Sequence, residues 1–199
     1  MQTFITLIVA YLLGSIPFGY LIVSAKTGSD IRETGSGGTG ATNVSRRAGK
    51  AAGVLTLVLD ALKGAAAILM ARFLITDPWW IGAAALAAIL GHIFPLWLRF
   101  RGGKGVATGV GVLAVMAPLA VFLSGILFIL VVWTTRYVSL GSILAVAAIP
   151  FFIWIGSLVR PTPNMLPTLL TAAAGATLII YAHRANIGRL LSGTENKFK

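Results

Sequence analysis

Three stretches of the chain carry residue types that handle phosphate. The first runs Gly35-Ser-Gly-Gly-Thr-Gly-Ala-Thr-Asn43, with Arg46 and Arg47 just beyond. Gly35, Gly37, Gly38 and Gly40 leave backbone N–H groups unscreened, so the chain can curl them inward around an anion. Ser36, Thr39 and Thr42 add hydroxyls, Asn43 an amide and Arg46 a planar cation. The second stretch is Arg101-Gly-Gly-Lys-Gly-Val-Ala-Thr108. Gly102, Gly103 and Gly105 permit close approach to the backbone, and Lys104 supplies a point charge. A helix opening behind them would aim its N-terminus at a phosphate, with Thr108 in its first turn. The third stretch begins at His183, with Asn186 three residues on and so on the same helix face. Either can hold a substrate hydroxyl, and His183 can take its proton near neutral pH.

Two formal motifs fail on inspection. Gly35, Gly37 and Gly40 fit G-x-G-x-x-G, but a dinucleotide site needs a strand before it and a βαβ unit around it. Here an apolar, helix-length segment comes first. The Walker A pattern needs Gly where Leu98 stands and Ser or Thr where Gly105 stands. The blander reading of both loops is a basic connector between membrane helices. Such a connector needs no such density of donors. Further in, His92 precedes the second stretch at the same expected end and is a candidate substrate contact, with a hydrogen-bonded bridge between helices as the blander reading. Asp60 and Lys63 lie within apolar sequence, where ionisable groups are costly and usually paired. An ion pair supporting the site is expected there. Glu195 can cap a helix or pair with a neighbouring arginine.

These stretches need elements to hold them, and the composition says which. Of 199 residues 57% are hydrophobic, and none is cysteine. The mean hydropathy is +0.91. A soluble core does not need so much apolar sequence, so the long runs read as transmembrane helices. Seven segments are expected, at 3–25, 52–75, 79–98, 106–119, 121–135, 138–157 and 164–183. Residues 106–135 are long for one crossing and tight for two, with Pro118 placed to break them. Charge decides the count. With the Gly35 loop inside, seven crossings put Lys26, Arg32, Arg46, Arg47, Lys50, Arg99, Arg101, Lys104, Arg136, Arg184 and Arg189 on the cytoplasmic side. The expected fold is therefore all-α. It is one polytopic integral membrane domain over 1–199, with seven transmembrane helices, N-terminus out and C-terminus in.

The net charge of +11 then reads as topology and lipid contact, with no nucleic acid partner. Two histidines and five acids are a poor supply for an all-protein metal cage, and no metal or cofactor is expected. All the polar stretches fall on one face of the membrane. Two anion nests on one face point to two phosphate-bearing ligands or one ligand with two anionic groups. A transporter would keep such groups near the midplane. An interfacial enzyme joining a water-soluble phosphate to a lipid-soluble one fits better.

The three stretches also resemble, in order and spacing, those of the bacterial acyl-phosphate:glycerol-3-phosphate acyltransferases (the PlsY family). The family's first motif reads G-S-G-N-x-G-A-T-N, against Gly35–Asn43 here. Its second reads H-x-F-P…F-x-G-G-K-G-V-A-T, against His92–Pro95 and Phe100–Thr108. Its third reads H-R-x-N-I-x-R-L…G-x-E, against His183–Leu190 and Gly193–Glu195. The resemblance spans nearly the whole chain, with one departure, since Gly38 stands where the family has Asn. It implies transfer of a fatty acyl group from acyl phosphate to glycerol 3-phosphate, giving 1-acyl-glycerol 3-phosphate (lysophosphatidic acid) and inorganic phosphate. The implied partners are those two substrates and membrane lipids. The implied place is the bacterial cytoplasmic membrane, and a monomer is expected.

On this reading Lys104, Ser36, Arg46 and backbone N–H groups hold phosphates. His183 or the donor's own phosphate takes the proton, and Asn186 assists. The second stretch is the preferred glycerol 3-phosphate site and the first the preferred acyl phosphate site. Ser139 and Ser142 are candidates to complete the acceptor site. The rivals are an organophosphate transporter and a structural protein whose basic loops bind anionic lipid.

Overall fold

The computed structural model describes residues 1–198, and their regular structure is helical. Contacts group into two compact units, Met1–Val115 and Met116–Lys199. Among the described residues six segments are long and apolar enough to cross a membrane. They are Gln2–Thr27, Lys50–Leu74, Pro78–Leu98, Pro118–Thr135, Val138–Val159 and Met165–Ala182. These six match expected segments within a few residues, because about 20 consecutive apolar residues leave little choice. The segment expected at 106–119 is a helix of 11 residues, Val106–Met116.

In the first unit α1 (Gln2–Ser15) stops at Ile16, whose ψ of 116 is extended, as the residue before Pro17 requires. The chain resumes as α2 (Phe18–Thr27) and ends at Gly28, with φ of 67. The first expected span is thus two helices with a break at Pro17. A short helix, α3 (Ala41–Ala48), starts inside the first glycine-rich stretch. It ends at Gly49, whose φ of 94 turns the chain into α4 (Lys50–Leu74). Helix α5 (Pro78–Ile93) opens with Asp77, whose carboxylate accepts from Trp79 N at 2.8 Å. Pro78 at its first position lacks only a donor that would have gone unused. After a 3-10 turn at Leu96–Leu98 comes α6 (Val106–Met116).

The helices of this unit meet through small residues. A Cβ on Gly14 would overlap the Ala88 carbonyl, and one on Gly91 the Tyr11 carbonyl, so α1 and α5 cross backbone to backbone. Gly64 and Gly111 bring α4 and α6 together in the same way, against Thr108 and Ala61. Lipid offers no hydrophobic drive to push helices together, so close backbone packing takes its place. Large apolar residues such as Phe4, Ile8, Leu62, Leu69 and Phe73 point outward.

In the second unit α7 (Pro118–Thr135), α8 (Val138–Val159) and α9 (Met165–Ala182) pack in sequence order. Pro118 opens α7, as its fixed φ and missing donor favour. A short α10 (Arg184–Leu191) follows α9.

Candidate active site

In the first unit the two glycine-rich loops lie side by side. A Cβ built on Gly38 would lie 3.9 Å from the Gly102 carbonyl oxygen and 3.9 Å from Ser36 Oγ. Arg32 ties the loops a second time. Its Nη1 donates to the Leu98 carbonyl at 3.0 Å, while Nε and Nη2 hold the Asp30 carboxylate at 2.6–3.0 Å. The Arg32 guanidinium holds the Asp30 carboxyl below the usual carboxylate range. Asp30 also accepts from Arg32 N at 2.8 Å, which caps the 3-10 turn at Ile31–Glu33.

The first loop is organised from inside by Asn43. This side chain is 3% exposed. Its Nδ2 donates to the carbonyls of Ile31, Thr34 and Gly38 at 3.2, 3.0 and 2.9 Å, and its Oδ1 accepts from Ser36 N at 3.2 Å. Expected as a substrate contact, Asn43 is placed as the loop's internal brace. Gly35 and Gly37 have φ of 60 and 69, a region that L side chains rarely adopt. Ser36 is exposed at the loop's crest, Thr39 is buried, and Gly38 and Gly40 are half-buried. Thr42 and Arg46 lie one turn apart on α3, half-buried and exposed respectively.

The second loop is pinned to the end of α5. Gly102 N donates to the Ile93 carbonyl at 3.2 Å and Gly103 N to that of His92 at 3.1 Å. A Cβ on Gly103 would collide with His92 Nε2, and Gly105 sits at φ of 83, so both positions demand glycine. Lys104 between them is half-buried. His92 is 5% exposed and stands behind the loop. Thr108 is fully buried, its backbone against Gly64. Below the loop, Asp60 and Lys63 form the expected ion pair, with Nζ 2.7 Å from Oδ1. Beside the loops a cavity of about 930 Å³ is lined by Ile16, Tyr20, Arg32, Trp97 and Arg99 among others.

In the second unit Glu195 is the organiser, and the sequence left its role open. Its Oε1 accepts from Ser139 Oγ at 2.8 Å and Asn186 Nδ2 at 2.6 Å, while Oε2 accepts from Arg189 Nε at 2.6 Å. Burial pushes this carboxyl up, but the bonds from Asn186, Ser139 and Arg189 outweigh it and hold it below the usual glutamate range. The start of α8 and the third motif are thereby joined. Ser142 spends its hydroxyl on the Val138 carbonyl at 2.9 Å. His183, 2% exposed, sits at the α9–α10 junction with Nδ1 2.8 Å from the Ile179 carbonyl. A carbonyl can only accept, so Nδ1 carries the proton in that bond.

The expected site residues thus fall into two groups. Ser36, Arg46, Lys104 and the glycines share the first unit; Ser139, Ser142, His183 and Asn186 share the second. The roles of Asn43, His92 and Glu195 were hidden in the sequence, since each depends on contacts beyond its own motif.

The chain's relatives bear on this arrangement. It is 48% identical to a glycerol-3-phosphate acyltransferase of Syntrophotalea carbinolica, covering 98% of this chain and 97% of that one. It is 50% identical to one of Geobacter sulfurreducens, covering 96% and 95%. Among solved structures it is similar to PlsY, an integral membrane glycerol 3-phosphate acyltransferase. Against the glycerol 3-phosphate form the TM-score is 0.91 and the identity 41%, over 100% of this chain and 96% of that one. Against the lysophosphatidic acid form they are 0.88 and 40%, over the same shares. With the family's sequence profile matching residues 4–193, the chain belongs to the glycerol-3-phosphate acyltransferase family of integral membrane enzymes.

Proposed function

We propose that this acyltransferase takes its acyl group from a fatty acyl phosphate. It would transfer that group to glycerol 3-phosphate at the cytoplasmic face of the bacterial inner membrane, giving lysophosphatidic acid and inorganic phosphate. The observation that carries the reading is the proximity of the two glycine-rich loops, close enough that a Cβ on Gly38 would come into van der Waals range of the Gly102 carbonyl. Two anion nests side by side suit a donor and an acceptor that both bear phosphate. The named forms of PlsY, with glycerol 3-phosphate and with lysophosphatidic acid, fit the same acceptor and product.

In the proposed reaction a glycerol 3-phosphate hydroxyl attacks the acyl carbonyl carbon. The bond from that carbon to the phosphate oxygen breaks, and inorganic phosphate leaves with its electron pair. The hydroxyl proton passes to His183 as the assigned base, with the donor's own phosphate as the alternative. Lys104, Ser36, Arg46, Thr42 and the N–H groups of both loops offset the charge on the phosphates and on the tetrahedral intermediate. Asn186 and Ser139, fixed by Glu195, and Ser142 at the start of α8 are assigned to the acceptor. An acyl phosphate is a mixed anhydride with a good leaving group, so positioning supplies much of the acceleration. The second loop is assigned to glycerol 3-phosphate and the first to the donor. A single acyltransferase domain over 1–199 and a monomeric active form are assigned with it.

The topology belongs to the same proposal: seven crossings, N-terminus out and C-terminus in. Helix α6, with 11 residues, rises about 16 Å, roughly half the hydrocarbon thickness. Its crossing therefore needs local thinning or polar flanks that dip inward.

The experiment is lysophosphatidic acid formation, with phosphate release followed beside it, by the purified protein given palmitoyl phosphate and glycerol 3-phosphate. Turnover is expected, with none when palmitoyl coenzyme A replaces the acyl phosphate. Ser36→Ala and Lys104→Ala each are expected to lower kcat/KM about 100-fold or more. Turnover with coenzyme A thioester alone overturns the donor assignment. His183→Ala at wild-type turnover would move the base to the donor's phosphate.

A further inference from the structure

Three ionisable side chains in the first unit lie out of reach of solvent: Asp60 is 1% exposed, Lys63 5% and His92 5%. All three stand on helices apolar and long enough to span a membrane. Charges at such depth are expensive, and a hydrophobic replacement of a buried pair often costs a fold nothing. Stability alone is therefore a poor reason for keeping them, and their contacts suggest a better one.

Lys63 reaches two partners. Its Nζ lies 2.7 Å from Asp60 Oδ1 and donates to the Ile16 carbonyl at 2.7 Å. Ile16 is the residue at which α1 breaks before Pro17. The Phe18 ring, on the far side of the break, is 5.7 Å from the same ammonium. Next along, Gly19 packs its Cα against the Thr39 carbonyl of the first loop, leaving no room for a Cβ. Asp60 faces His92 as well, with Nδ1 3.6 Å from Oδ1. His92 then meets the second loop twice. Its carbonyl accepts from Gly103 N at 3.1 Å, and its ring Nε2 occupies the space where a Gly103 Cβ would stand. Lys104 follows directly.

We propose that Lys63, Asp60 and His92 form one buried positioning network that sets the depth of the Gly102–Gly105 turn, and with it the place of Lys104. The imidazole acts as a stop behind Gly103. The Asp60 carboxylate faces the ring's other nitrogen at 3.6 Å, and Lys63 ties Asp60 to the α1–α2 break. None of the three touches the reacting atoms in this scheme. The inference rests on the reading that this turn holds a substrate phosphate.

The test is a double-mutant cycle on the full-length enzyme in lipid, with His92→Ala, Gly103→Ala and both together. KM is measured separately for glycerol 3-phosphate and acyl phosphate. Gly103→Ala pushes the turn off the ring, and His92→Ala removes the stop. Each single change is expected to raise KM for the same one substrate about tenfold, with kcat within threefold of wild type. The double variant is expected to be no worse than either single one, because the methyl introduced at position 103 fills space the ring has vacated. Multiplying effects, to about 100-fold in the double variant, would overturn the proposal, as would losses confined to kcat. A companion pair keeps the network testable if His92→Ala folds poorly. Asp60→Asn is expected to raise the same KM as Gly103→Ala, and an unchanged KM in that variant also overturns the proposal. Lys104→Ala separates the two readings: if it leaves both KM values unchanged, the phosphate assignment of the turn has failed rather than the network behind it.

Discussion

Asn43 shows a job within the protein that its motif does not announce. An amide beside glycines suggests a ligand contact, yet this amide faces three carbonyls of its own loop. The consequence is sharp at the level of one atom. In Asn43→Asp an acceptor replaces the donor Nδ2, and the carbonyls of Ile31, Thr34 and Gly38 then face a carboxylate in a buried site. The NH2 group has two hydrogens shared among the three carbonyls, so at about 1 kcal/mol net per bond the loop should lose at least about 2 kcal/mol. We expect a lowered unfolding midpoint and near-complete loss of turnover, seen by thermal denaturation and phosphate release on one preparation. Gly38 offers the opposite case. It is not among the glycines with positive φ, and a Cβ there meets its neighbours only at 3.9 Å. Gly38→Asn, the residue usual in the family, should therefore be accommodated without strain, with turnover within about threefold.

At the scale of elements the punctuation matters more than the helices. Pro17 divides the first span, Gly49 separates α3 from α4, and the Arg136 turn, with φ of 65, separates α7 from α8. The third motif becomes an element of its own, α10, which docks on the start of α8 through Glu195. That docking should respond to acid. The folded-state pKa of Glu195 is depressed, so its contribution is complete above the unfolded glutamate pKa and is lost as pH falls through the lower folded value. Amide hydrogen exchange across residues 183–195 should thus be flat from pH 7 down to about 4.5, after allowance for intrinsic rates, and rise below it. In Glu195→Gln the exchange should already be raised at pH 7 and lack the acid step. An acid step that persists in that variant would assign the docking to another group.

For the whole molecule the distribution of charge is the argument. Basic residues cluster at the ends of segments that the seven-crossing scheme places inside, while the scheme puts the Asp77–Pro78 turn, with Trp79 and Trp80, outside. The chain has no cysteine, so single substitutions report without background. In intact cells Asp77→Cys should react with a membrane-impermeant maleimide, and Lys50→Cys and Lys197→Cys should react only after the membrane is opened. Labelling of Lys197→Cys from outside would remove one crossing from the scheme, and the 106–135 pair is where it would be lost.

What the sequence by itself determined is everything that depends on length, sign and local backbone freedom. Apolar runs of about 20 residues marked the spans, basic residues proposed the inside, and Gly35, Gly37 and Gly105 stand where the chain adopts positive φ. Pro118 marked a helix boundary for the same local reason. What only the tertiary structure decided is which polar groups look outward to a ligand and which look inward. Asn43 braces its loop, His92 backs Gly103, Lys63 reaches across 47 positions to Ile16, and Glu195 crosses 56 to Ser139. Hydrogen bonds and ion pairs act over about 3 Å, so a partner distant in sequence leaves no periodicity or spacing by which to read it.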